Sequence, residues 1–320
     1  MPEISVIIPN YNHARFLKKR IESVLKQTFK DIEIIILDDK STDNSKEIIE
    51  SFASLDKRIV THYNEVNSGS TFVQWNKGVK MAKGTYIWIA ESDDYAEPDF
   101  LSSLLPFFKQ SDTIGIAFCH SHIIDDQDQT TGNSSNWLSI HETNREFSAT
   151  GIKSGIDTFQ NFTSCFNIIP NASAVLMKKE IYIKVGGADE TMKMAGDWKL
   201  WSSIMMISDI GFLNNALNYH RRHSSGVTSK KLDILKKEAI QNIKYFYQKL
   251  NELNLRSPQI DNYFFDWCFK KFAWEAKYEL TINNYFLFKN KKSPLFKKSI
   301  IELLYNAIKN NLIFILIKKK

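Results

Sequence analysis

Short β-branched runs alternate with stretches of helical period over the first hundred residues. Ile4-Ser5-Val6-Ile7-Ile8, stopped by Pro9, reads as a buried strand. Phe16, Leu17, Ile21, Val24 and Leu25 then recur at helical spacing. Ile32-Glu33-Ile34-Ile35-Ile36-Leu37 is a second strand. Ser41-Thr42-Asp43 offers N-cap residues to a helix whose apolar face is Ile48, Ile49 and Phe52. Arg58 to Tyr63 is a third strand, Asn67-Ser68-Gly69-Ser70 a turn, and Thr71 to Lys83 a helix ended by Gly84. Tyr86-Ile87-Trp88-Ile89-Ala90 is a fourth strand, and Pro98 opens a helix carrying Phe100, Leu101, Leu104 and Leu105. Such alternation predicts an α/β fold with a parallel sheet covered on both faces.

The pattern loosens downstream. Asp125 to Thr150 is polar and reads as a loop region, Ser173 to Met177 as a strand, Ala195 to Met206 as a helix, and Leu217 to His220 as extended. From about Lys230 the period is helical, with Leu232, Leu235, Ala239, Ile240, Ile243, Phe246, Tyr247 and Leu250 on one stripe; Ile260 to Leu280 and Pro294 to Lys309 read similarly. A domain boundary is expected near 228, giving a domain 1–228 and a helical region 229–320.

Charge sharpens that division. Residues 229–320 hold 19 Lys and Arg against 8 Asp and Glu, whereas 1–228 hold 23 against 28. The acidic part ends two of its strands on carboxylates: Asp38-Asp39 after the second, Glu91-Ser92-Asp93-Asp94 after the fourth. Open α/β sheets bind ligands at that edge. Clustered acids repel one another unless a cation compensates them, so a divalent metal, Mg²⁺ or Mn²⁺, is expected to bridge them to phosphate oxygens.

Several classes are excluded. There is neither a GxGxxG nor a GxxxxGK loop, so a glycine-rich phosphate cradle is not expected. Cys119, Cys165 and Cys268 form no CxxC pair, which argues against a zinc ribbon or thioredoxin-type site and fits a reducing cytosol. Met1-Pro2-Glu3 lacks the basic and apolar regions of a signal peptide, and no run of 18 apolar residues predicts a spanning helix. A cytoplasmic location is expected. The acidic half and the lack of a reader motif speak against nucleic acid.

Three segments together resemble family 2 glycosyltransferases of the GT-A fold: Ser5 to Asn12, Ile36-Leu37-Asp38-Asp39-Lys40-Ser41-Thr42-Asp43, and Ala90-Glu91-Ser92-Asp93-Asp94. Val185-Gly186-Gly187-Ala188-Asp189-Glu190 with Gly196-Asp197-Trp198-Lys199-Leu200-Trp201 resembles the family's acceptor half. The resemblance covers about 4–226. It implies a GT-A nucleotide-diphospho-sugar transferase fold, a mostly parallel central sheet flanked by helices, here with a C-terminal helical extension. It also implies roles. Pro9, Asn10 and Tyr11 would line the nucleotide, and Asp39 would accept a hydrogen bond from its base, commonly uracil. Asp93 and Asp94 would stand at the metal, with Glu91 where relatives often have Asp. Asp197 would be the base of an inverting transfer. Arg221 would face the diphosphate and His223 the metal, and Asn76 would belong to the donor site.

The implied activity moves a hexose from a nucleotide-diphosphate donor, UDP-linked, to a saccharide or lipid-linked saccharide in bacterial surface polysaccharide assembly. Two other readings stay open at this stage. A nucleotidyltransferase would also use acids and a metal but needs a triphosphate loop, and a non-catalytic nucleotide-sugar module would hydrolyse no donor. His120 and His122 share a strand face, with a structural or acceptor-site role favoured over a zinc pair. Trp75, Trp88, Trp198 and Trp201 are expected mainly in the core. The basic tail reads either as a membrane-surface helix, making the protein peripheral, or as a cap on the catalytic domain.

Overall fold

The computed structural model describes residues 1–140, 146–222 and 232–256. The chain divides into a unit Met1–Lys270 and a second, Lys271–Lys320, which lies outside the described residues. The first half follows the expected alternation: β1 (Ile4–Asn10), α1 (Ala14–Leu25), β2 (Ile32–Asp38), α2 (Ser45–Ala53), β3 (Ile59–Tyr63), α3 (Thr71–Met81) and β4 (Tyr86–Ile89). These strands are parallel in the order β3-β2-β1-β4, with Ile8 opposite Ile36 and Ile7 opposite Ile89. Every residue of β1 and β2 is buried, as continuous apolar runs in a doubly covered sheet should be. Leu17, Ile21 and Val24 of α1 are fully buried against it.

Beyond β4 come β5 (Tyr95–Ala96), α4 (Phe100–Gln110), β6 (Ile114–Ile124), β7 (Thr130–Asn133), α5 (Ser135–Ile140) and β8 (Gly151–Lys153). Then follow α6 (Gly155–Thr158), running into a π-helical turn at Phe159–Thr163, β9 (Val175–Lys178), α7 (Lys179–Lys184), α8 (Gly196–Met205), β10 (Asp209–Arg221) and α9 (Leu232–Glu252). The sheet continues β4-β9-β6-β10-β5. Here β9 is antiparallel to both β4 and β6, β6 is parallel to β10, and β5 is antiparallel to β10. The fold is therefore mixed α/β, all-parallel over β3-β2-β1-β4 and of mixed direction beyond it. The polar stretch expected as a loop contains β7 on β6 and the short α5. Thr130-Thr131-Gly132-Asn133 carries no alternation to announce a strand, and its pairing is set by β6.

Two consequences matter for function. Because β1, β2 and β4 are parallel, the segments that follow Asn10, Asp38 and Ile89 leave one edge of the sheet. And the first unit runs past the boundary expected at 228 to include α9. Ile243, Phe246 and Leu250 of α9 are fully buried, and the Phe246 ring lies 5.9 Å from Phe159 and 5.4 Å from Trp198. Of the two readings of the basic region, this part is a cap on the catalytic layer. Among the described residues no helix is long and apolar enough to cross a membrane.

Candidate active site

At the ends of β1 and β2 two turns interlock. Asn10 Nδ2 donates to Asp38 Oδ1 (2.8 Å) and Ser41 Oγ (3.1 Å), while Ser41 N and Oγ donate to Asp38 (2.9 and 2.6 Å). Thr42 N donates to Asn12 Oδ1 at 2.7 Å. Asn12 and Lys40 adopt φ of 55° and 63°, the left-handed region that closes each turn. Pro9 is buried in β1 opposite Leu37, beyond the residues that pair with β4, where its missing N–H leaves no gap. Pro9 and Asn10 thus form the wall, and Tyr11, 46% exposed, presents its ring.

Asp39 is buried and heavily subscribed. It accepts from Asn64 Nδ2 (2.6 Å), Gln74 Nε2 (2.9 Å), Ser68 Oγ (2.7 Å) and the Ser68 N–H, which is shared between both oxygens (2.9 and 3.1 Å). Those contacts fill a carboxylate's four lone-pair sites. Through these bonds Asp39, expected to meet the base, orders the wall from Asn64 to Gln74.

The acidic segment after β4 is organised by two arginines. Arg20, fully buried on α1, donates Nε to the Glu91 carbonyl (2.8 Å) and lies 4.0 Å from Asp94. Burial lowers its pKa to about 10, opposed by Asp94, Asp93 and Glu91. Arg221 donates Nε to the Asp93 carbonyl (2.8 Å), Nη1 to the Asp125 carbonyl, and Nη2 to Asp128. Its guanidinium is 2% exposed and packs on Phe16. So Arg221, expected at the diphosphate, is a buried strut whose fork is turned to the protein. Asp94, expected at the metal, is likewise committed: it accepts from Asn171 (2.8 Å), Ser173 (2.6 Å) and the Arg221 N–H (2.8 Å). Glu91 accepts from Trp75 Nε1 (2.7 Å) and Thr71 Oγ1 (3.3 Å), and burial pushes its pKa up to about 8. The guanidiniums of Arg20 and Arg221 offset part of the repulsion among these acids.

A divalent cation has a further claim on the site. His220 Nδ1 is buried without a hydrogen-bond partner, and its ring lies within electrostatic reach of Asp94 and Asp93. The carboxylate suits Mg²⁺ or Mn²⁺, and an imidazole nitrogen beside it suits a transition ion such as Mn²⁺ better than Mg²⁺. His223 lies outside the described residues, and among those described no three His, Cys, Asp or Glu side chains are grouped for ligation.

Asp197 stands in the first turn of α8. Its Oδ1 accepts the Trp198 N–H (2.7 Å) and its Oδ2 accepts Asn167 Nδ2 (3.1 Å). Both bonds favour the charged form, yet burial raises the pKa to about 6. Trp198 and Trp201 lie in the core, as expected. Trp198 Nε1 donates to the Thr163 carbonyl (2.7 Å), and Trp201 is fully buried, stacked on Trp75 at 6.2 Å.

One segment, 67–76, touches Asp39, Glu91 and the 192–196 stretch that leads into α8. Ser68 and Gln74 hold Asp39, and Thr71 and Trp75 hold Glu91. Ser70 Oγ donates to the Met192 carbonyl (3.3 Å), Lys193 Nζ to the Gly69 carbonyl (3.0 Å), and a Cβ at Gly196 would come within 2.7 Å of the Phe72 ring. Asn76 completes the seam. It donates to the Ala188 carbonyl (2.9 Å) and Glu190 (2.8 Å), and accepts from Tyr182 (2.6 Å) and the Ala188 N–H (3.0 Å). Expected in the donor site, Asn76 is a latch on the 186–190 turn. Gly187 there has φ 75°, and a Cβ would approach Asn76 Oδ1 to 2.6 Å.

His120 is buried edge-on to Phe212 and bonded to Ser134 (3.2 Å), while His122 stacks on Tyr219; both are structural. Sequence reasoning passed over Arg20 and His13, whose Nδ1 meets Ser92 Oγ at 2.8 Å. Arg20 left a signal: it sits between Leu17, Ile21 and Val24 on the apolar stripe, where an unpaired charge is not tolerated.

Residues 5–169 match the family described as Glycosyl transferase family 2. Glycosyltransferase GlyG of Streptococcus pneumoniae is 29% identical over 239 residues, 72% of this chain and 74% of that protein. Among solved structures, S. aureus TarS 1–349 in complex with UDP superimposes with TM-score 0.63 at 19% identity, covering 93% of this chain and 77% of that one. Mannosyltransferase PcManGT from Pyrobaculum calidifontis, in complex with GDP-Man and Mn²⁺, has TM-score 0.58 at 14% identity, covering 97% and 87%.

Proposed function

Starting from the chain's membership of glycosyltransferase family 2, which makes it a glycosyltransferase of the GT-A type, we propose that it transfers a hexose from a UDP-linked donor, with inversion, to a saccharide or lipid-linked saccharide acceptor. The observation that carries this reading is the 67–76 seam. It ties the wall after β2, the acids after β4 and the turn that delivers Asp197 into one edge of the sheet. UDP bound to TarS and GDP-Man bound to PcManGT support a nucleotide-sugar donor.

In this reading the uracil lies against Tyr11 and the wall that Asp39 orders. A base with pKa about 6 is mostly charged at neutral pH yet basic enough to take a proton. Asp197 accepts the proton of the acceptor hydroxyl as that oxygen bonds to the anomeric carbon, and the bond from that carbon to the diphosphate breaks. No covalent intermediate is required. Asp93, with an imidazole from His220 or His223, would hold Mg²⁺ or Mn²⁺, which when bound neutralises charge developing on the departing diphosphate. Trp75 and Arg20 keep Glu91 and its neighbours in place. The setting is the assembly of bacterial surface polysaccharide, with the protein in the cytoplasm and the lysine-rich region beyond α9 resting on the inner face of the membrane.

The test is a panel of UDP-sugars and GDP-mannose, each with and without Mn²⁺, read by thermal shift and by release of nucleoside diphosphate. A ligand that binds only the folded protein raises its apparent stability. Metal-dependent stabilisation by a UDP-sugar with UDP release is expected. Stabilisation by GDP-mannose alone would overturn the donor assignment.

A further inference from the structure

Helix α9 reaches the proposed base from outside the region matched by the family. Its Glu238, 6% exposed, accepts three consecutive backbone N–H groups: Lys193 at 2.7 Å, Met194 at 2.8 Å and Ala195 at 2.9 Å. One turn later the fully buried Asn242 donates Nδ2 to the Ala195 carbonyl at 2.7 Å. Ala195 is the N-cap residue of α8 and has no side-chain oxygen with which to cap it. The clamp thus grips the chain on both the donor and acceptor side, two residues before Asp197. Phe246, one further turn along α9, packs on Trp198, the residue after Asp197.

We propose that Glu238, backed by Asn242, is the positioning residue of the base, so that turnover at the edge of the N-terminal sheet depends on helix α9. This inference rests on the reading of Asp197 as base and deepens it. A buried carboxylate is costly unless its hydrogen bonds are complete, and here three backbone donors complete them. The arrangement does more than hold. The groups bearing on Asp197 are Asn167, the Trp198 N–H, and Glu238 from α9; Lys199 of its own helix is paired with Asp189 at 2.6 Å. Glu238 is the charged group among them, and its negative charge strengthens Asp197 as a proton acceptor.

Glu238→Gln in the full chain keeps shape and removes charge and one acceptor. Turnover is followed as UDP release from the nucleotide sugar selected by the panel, and binding by calorimetry with UDP. kcat is expected to fall on the order of 10-fold or more, as misplacement of a reacting group does. The UDP affinity should stay within about two-fold, since the clamp does not touch the nucleotide wall. The acid limb of the kcat profile should move to lower pH, because losing the neighbouring negative charge favours ionised Asp197. A merely structural cap would lower stability and leave that limb in place. Wild-type kcat and an unmoved acid limb in a folded Glu238→Gln protein overturn the proposal. Should that variant not fold, Asn242→Ala, which removes the bond to the Ala195 carbonyl and leaves Glu238 in place, carries the same test: reduced kcat in a folded protein supports the clamp and wild-type kcat overturns it. Asp197→Asn separates the two levels. If it remains fully active, the base reading fails whatever Glu238 does; if it is inactive while Glu238→Gln is normal, only the clamp fails.

Discussion

Two hydrogen bonds favour ionised Asp197, and burial outweighs them to set its pKa near 6. Turnover should therefore fall as pH drops through about 6, which a kcat profile measures. The same displacement has a cost in stability. A carboxyl whose folded pKa lies above its unfolded value holds its proton longer in the native state, so it destabilises the fold progressively between about 4 and 6 and fully above. Asp197→Asn should thus be more stable than the parent at neutral pH, on the order of 2 kcal/mol by urea denaturation, while losing transfer. Arg20 behaves oppositely. Arg20→Ala strips a buried cation from Asp93 and Asp94 and should cost about 3–5 kcal/mol in the same assay. A variant as stable as the parent would mean that the acids need no counter-charge from α1. Of these residues, Asp197 drew attention through its motif, and its role as base is the proposal that these variants test. Arg20 was written only as a charge on an apolar stripe, and its meaning came from what it packs beneath.

Helices and turns here do more than carry side chains to an edge. The α3 entrance holds two acids and the 188–196 turn at once, and Asn76 closes the seam with four hydrogen bonds. Asn76→Ala should cost about 1–3 kcal/mol for the polar groups it strands. UDP affinity in a folded Asn76→Ala protein should stay within about two-fold; a large loss of UDP affinity without loss of stability would return Asn76 to the donor site. The period of the apolar runs was enough to place β1 to β4 with α1 to α3, because burial on both faces writes itself as continuous Ile and Leu. It was not enough for Asn76, Asp94 or Arg221. Each has a residue type suited to ligand binding, and only tertiary contacts far along the chain, Ala188 and Tyr182 at Asn76, Asn171 and Ser173 at Asp94, and Asp128 at Arg221, reveal the protein partners it also has. β7 was invisible for a related reason: its pairing is dictated by β6 rather than by its own pattern.

At the scale of the molecule, α9 belongs with the catalytic layer. A boundary at 228, natural from the change in charge and period, would expose the face of Trp198 and Phe159 that Phe246 covers. A chain ended at 228 should aggregate or lose its cooperative melt, whereas one ended at 270, the limit of the first unit, should keep it; equal melting of the two would contradict the account. Charge and composition announced that residues 229–320 differ in kind, but not that their first helix packs on Trp198 and Phe159. The most direct measurement of the central claim is a paired one on Asp197→Asn: release of UDP from the donor sugar in the presence of acceptor, and UDP affinity by calorimetry on the same protein. The account predicts release lost by at least about 10²-fold with affinity kept within about two-fold. Release at the parent's rate would contradict it.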